Sequence, residues 1–188
     1  MVIFLLALCK SLLKFSTGND KGHIVLFEPS SAEHISVRTI YDPLTAIAPA
    51  SDCSTFALGQ VKSLIQPHMH SNQHHRYENG SILIATLDPT FTILHTLTTP
   101  RTPSPITGLA WHNTVAKQKM DMLATQTADG DLRVWGVSGA EQPKAIRVMD
   151  APERSSGGRT WFAWSKNGRI IQFCNGCVQI LFRIMVIR

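Results

Sequence analysis

The sequence predicts an all-β chain made of repeated four-stranded antiparallel units, and three observations carry that prediction. The stretch Asp121–Val137, DMLATQTADGDLRVWGV, reads as a β-hairpin. Its strand–turn–strand pattern recurs along the 188 residues. Further strand-like runs lie between the recurrences, at a period of roughly 40–50 residues that suits the blades of a β-propeller.

The hairpin is the clearest element. Met122, Leu123 and Ala124 open an apolar run. Ala128-Asp129-Gly130-Asp131 follows as turn chemistry, because Asp and Gly tolerate the positive φ of tight hairpin turns. Leu132-Arg133-Val134-Trp135 then alternates apolar and polar, the period of a strand with one buried face.

The other elements repeat this grammar in chain order. TGNDKGHIVLF (17–27) places Gly22 before Ile24, Leu26 and Phe27, and NGSILIATL (79–87) places Gly80 before Ile82 and Ile84. FCNGCVQILF (173–182) places Gly176 before Val178 and Ile180. The glycines Gly22, Gly80, Gly130 and Gly176 are spaced 58, 50 and 46 residues apart, and each is expected at a hairpin turn. Short apolar strands precede the hairpins in LTAIAPASDCST (44–55), ITGLAWHNT (106–114) and TWFAWSKNG (160–168). FTILHTL (91–97) and KAIRVM (144–149) supply outer strands.

With those residues in view, ITGLAWHN…DMLATQTADGDLRVWGV resembles the WD-repeat (WD40) family. Asp129 and Gly130 match its turn, Thr125 its hydroxyl position on the second strand, and Trp135 the Trp of its Trp-Asp dipeptide. The usual Gly-His before the first strand is replaced by Arg101-Thr102-Pro103-Ser104-Pro105, and the usual Asp after the Trp is Gly136. The Asp–His–Ser/Thr–Trp hydrogen-bond set of such blades is therefore incomplete here. The resemblance extends into WFAWSKNGRIIQFCNG and covers most of residues 16–176. It implies antiparallel four-stranded blades of an incomplete propeller, about three of them. It also implies a non-catalytic scaffold for protein–protein interaction, with other proteins as partners and no cofactor. A propeller closes with about four to eight blades, so closure falls to further blades or to a second chain, or else the chain is a fragment.

Three segments depart from the repeat. Residues 1–15 read as an irregular or mis-started N-terminal segment, residues 60–78 as an insertion within the 16–176 body, and residues 177–188 as an apolar C-terminal tail. QVKSLIQPHMHSNQHHRYE, the 19 residues 60–78, stands where a tight turn should join STFALG to NGSILI. A hairpin loop is usually two to five residues, so the insertion is expected to be a disordered loop. Charge divides the chain the same way. Residues 1–15, 60–78 and 174–188 carry Lys10, Lys14, Lys62, Arg76, Arg183 and Arg188 against Glu78 alone, which is the whole net charge of +5. The rest has 12 basic and 12 acidic groups. Such a body has no basic stripe of the kind that binds nucleic acid. VIFLLALC, with no basic residue before it, is too short to span a bilayer and lacks the parts of a secretory signal; an inner blade strand is the competing reading.

No nucleophile elbow, P-loop, HExxH or kinase set is present, so no catalytic residue is assigned. His112 follows a strand and reads as a surface loop residue. His68, His70, His74 and His75 in the insertion, with Cys174 and Cys177, leave a second reading open: a small metal-binding or secreted protein. Nothing in their spacing brings the two groups together, so no metal site is assigned. Four unevenly spaced cysteines suit a reducing compartment, the cytoplasm or nucleus. The loop TTPRTPSP (98–105) joins one blade to the next. Arg101, Thr102, Ser104 and the turn residue Asp131 are the expected partner-binding residues.

Overall fold

A computed structural model describes residues 5–9, 14–18, 23–28, 32–38, 44–50, 55–65, 76–86, 90–98, 104–112, 120–139, 141–149, 161–165, 169–174 and 177–183. Strands β1 (Leu5–Cys9), β2 (Lys14–Gly18), β3 (His23–Glu28) and β4 (Glu33–Arg38) form one sheet in chain order. The second contains β5 (Leu44–Pro49), β6 (Thr55–Ile65), β7 (Arg76–Thr86) and β8 (Thr92–Thr98). The third contains β9 (Ile106–His112), β10 (Asp121–Thr127), β11 (Leu132–Ser138) and β12 (Glu141–Met149). The last has three strands, β13 (Trp161–Trp164), β14 (Arg169–Cys174) and β15 (Cys177–Arg183). The described residues thus hold four sheets rather than about three blades.

The chain divides into two compact units, residues 1–107 and 108–188. In the first, Ile24 of β3 packs with Leu44, Phe56, Leu58, Leu83 and Ala85 of the second sheet, so two sheets stack face to face. In the second unit, Ile170 of β14 joins Met122, Ala124, Leu132 and Val134, with Phe162 and Trp164 of β13 packed on them. Burying one such aliphatic side chain is worth about 1.5–3 kcal/mol.

Several expectations are corrected. Leu5–Cys9 is not irregular: it pairs antiparallel with Lys14–Gly18, because a short apolar run satisfies its backbone most readily beside another strand. Cys177–Arg183 is likewise no tail but pairs antiparallel with β14. The insertion is shorter than expected. The β6–β7 ladder continues past Gln60↔Ser81 through Lys62↔Asn79 to Ile65↔Arg76, so residues 60–65 and 76–78 are strand. Residues 66–75 lie outside the described residues, as do Gly22 and Gly176.

Gly80 is therefore a ladder residue opposite Val61, not a turn residue. Its lack of a side chain has another use. A Cβ at Gly80 would collide with the backbone carbonyl of Ser104, and one at Gly59 would come within 2.8 Å of Ile106 Cγ2. The two glycines make the hollow in which Ile106, fully buried, is seated. Since a backbone carbonyl yields less than a side-chain tip, Gly80→Ala is expected to destabilise the protein by about 1–3 kcal/mol in a urea titration. A loss within about 0.5 kcal/mol, the size of an ordinary surface change, would show that the close approach is not required.

Candidate partner-binding surface

The β10–β11 hairpin is built as its sequence suggests. Gly130 N–H donates to the Thr127 carbonyl at 3.0 Å, and Thr127 N–H to the Asp131 carbonyl at 3.0 Å. Gly130 takes φ of 93°, the left-handed position of a three-residue hairpin loop, where a Cβ would be strained. Asp129 is exposed at the tip and Asp131 is half-buried. Behind the turn, Trp135 Nε1 donates to Thr125 Oγ1 at 3.1 Å, both side chains buried. Gly136, where the WD-repeat dipeptide has Asp, is closely approached by two flexible side-chain ends: a Cβ there would lie 2.5 Å from Met120 Sδ and 2.9 Å from Ile146 Cδ1.

Of the four expected partner-binding residues, two are described, Ser104 and Asp131. Arg101 and Thr102 lie outside the described residues. Ser104 is 2% exposed, because its carbonyl lies against Gly80; it is corrected from a surface residue to a packed one. Asp131 uses its carbonyl within the hairpin turn, accepting also from Thr127 Oγ1 at 3.4 Å. Of the metal candidates, Cys174 and Cys177 are register partners in the β14–β15 ladder, and the four insertion histidines lie outside the described residues. Among the described residues no group of three or more His, Cys, Asp or Glu converges.

His112 is also corrected. It ends β9 half-buried, edge-on to Trp164 with ring centroids 4.9 Å apart. Trp164 Nε1 donates to the Ala110 carbonyl at 3.0 Å, which holds the indole in place. His112 Nδ1 is buried with no hydrogen-bond partner among the described residues, and burial pushes its pKa below the ordinary value.

Sequence reading missed a feature that two sheets share. In the second sheet, Ile84 pairs with His95 and Ala85 with Ile93, so Leu94 is an extra residue in the outer strand β8. In the third, Val134 pairs with Arg147 and Trp135 with Ala145, so Ile146 is the extra residue in β12. Both are β-bulges, which re-aim a side chain and twist an edge strand. Both present large apolar groups: Ile93 and Leu94 are 45% and 46% exposed, Ile146 and Val148 43% and 44%. Periodicity alone cannot reveal a bulge, because the extra residue breaks the period that is being counted.

These sheets match a solved structure. The chain superposes on Hsv2 of Kluyvelomyces marxianus with a TM-score of 0.58 at 8% sequence identity, covering 86% of this chain and 46% of that one. The fold is that of a β-propeller. At this identity the likeness concerns the fold alone, and this chain spans less than half the length of that propeller. No protein-family model matches the chain, and no curated protein matches it. β8 and β12 each stand at the edge of their sheet.

Two outcomes are expected. Thr125→Val leaves the Trp135 indole N–H buried and unpaired, costing about 1–3 kcal/mol. Adding Trp135→Phe should then cost less than its own single-variant value, and strict additivity in the double-mutant cycle would show that the bond carries no coupling. His112 has a folded pKa below its unfolded value of about 6.5, so the unfolded chain binds a proton first as pH falls. The stability present above that pH is lost as pH falls through it towards the lowered folded pKa. His112→Gln should therefore flatten the fall in thermal midpoint between about pH 7 and pH 5; a profile parallel to wild type would assign the fall elsewhere.

Proposed function

We propose that this chain is a non-catalytic propeller scaffold of the WD-repeat kind that docks other proteins in the cytoplasm or nucleus. The observation that carries the reading is the repeated bulge on the outer strands, which exposes Ile93 and Leu94 on one blade and Ile146 and Val148 on another. Edge strands ordinarily carry charges or prolines that discourage pairing; β12 does so with Pro143, Lys144 and Arg147, whereas β8 has neither. Large apolar side chains turned outward on an edge strand are what an interaction surface needs, and such patches on soluble domains mark binding sites.

A second reading is favoured by another observation. Trp161 is 52% exposed and Ala163 beside it is exposed, whereas Phe162 and Trp164, on the alternate positions of β13, pack on the third sheet. In this reading the Trp161 face takes a further blade, from more sequence or from a second chain, as the 46% coverage of a whole propeller suggests.

The two are separated by one set of variants. Leu94→Lys with Ile146→Lys should abolish capture of protein partners while leaving the unfolding free energy within about 1 kcal/mol of wild type, since exposed sites tolerate change. Trp161→Ser should leave capture intact and, if closure by a second chain is correct, halve the mass measured by sedimentation. Capture that survives the double Lys variant would remove the bulged strands from the binding surface.

A further inference from the structure

Arg133 and Thr125 stand directly opposite each other in the β10–β11 ladder, so their side chains leave the sheet on one face with Cβ atoms about 5 Å apart. The alternation of Leu132-Arg133-Val134-Trp135 suits a strand with one wet face, yet Arg133 is 4% exposed and Thr125 1%. Arg133 Nε is buried with no hydrogen-bond acceptor. Thr125 Oγ1 accepts from Trp135 Nε1, which leaves its own proton to donate. Among the described residues neither donor has an acceptor. A guanidinium is always charged, and burying a charge without a counter-charge is costly. A buried water would answer the two donors but not the charge; an anion answers both.

We propose that Arg133 Nε–H and Thr125 Oγ1–H bind one small inorganic anion, a halide or a single oxyanion such as phosphate, within the third blade. The burial of both side chains sets the size of the ligand, since a phosphate carried on a peptide or lipid would need an open path for the chain that bears it. The Trp135 indole acts at one remove: by donating to Thr125 Oγ1 it turns the hydroxyl proton away from itself and towards the anion. The inference stands independently of the scaffold reading.

The test uses the full chain in a buffer whose ionic strength is held constant with a bulky sulfonate. Sodium chloride and sodium phosphate are titrated in separate arms while the thermal midpoint is followed. A ligand that binds only the folded state raises the midpoint in a saturable way. Wild type is expected to show that rise with at least one of the two anions. Arg133→Met, which keeps the stem and removes the charge, is expected to lose it, and Arg133→Lys to weaken the apparent affinity about tenfold through loss of the charge-assisted Nε bond. Equilibrium dialysis of labelled phosphate, or broadening of the chloride NMR line, reads binding on wild type even if Arg133→Met does not fold. A midpoint indifferent to both anions together with no binding by dialysis or NMR overturns the proposal. So does an unchanged response in Arg133→Met, which would place the anion elsewhere.

Discussion

Through their described middles the inner strands of the second and third sheets have no solvent face. Residues 56–60 of β6, 80–85 of β7 and 122–127 of β10 are buried without interruption, as are Leu132 to Gly136 of β11. A sheet buried on both faces loses the alternation of apolar and polar residues that marks a half-exposed strand. Each neighbouring surface must then be met by volume matched in detail, because the interior is close-packed. Gly59 and Gly80 are small so that Ile106 can be seated, and Gly136 is small where Met120 and Ile146 crowd it.

Polar groups caught in this setting need partners supplied by the sheet itself. Trp135 finds Thr125, and in the other unit Ser81 donates to Gln60 Oε1 at 3.3 Å. Each joins neighbouring strands of one hairpin, so the bond is local to the blade and forms wherever the register forms. Arg133 belongs to the same class, and its Nε, like Gln60 Nε2, finds no hydrogen-bond partner among the described residues. The same ladder that aligns Trp135 with Thr125 also holds the guanidinium indoors.

The outer strands obey a different rule. With a free edge, β8 and β12 can admit an extra residue at no cost to a neighbour, and both do so, at Leu94 and Ile146. The bulge turns apolar side chains outward where an unbroken strand would have alternated them. Packing therefore sets the inner strands and constrains the edge strands less.

The sequence by itself determined whatever depends on near neighbours along the chain. The three-residue loop at Gly130 follows from Asp-Gly and from the need for positive φ, and the strands of each hairpin follow from their apolar runs. The Thr125 and Trp135 pairing was legible too, through resemblance to a known repeat. Only the tertiary structure decided the rest. Gly80 reads as a turn glycine until Ser104 is laid against it, and the strands at 60–65 and 76–78 read as loop until each supplies the other's hydrogen bonds. Ser104 and Arg133 carry polar side chains that a sequence assigns to water, and both are buried. The reason is common to all four: hairpin turns are written in two or three adjacent residues, whereas burial of a residue depends on a surface that arrives from elsewhere in the chain.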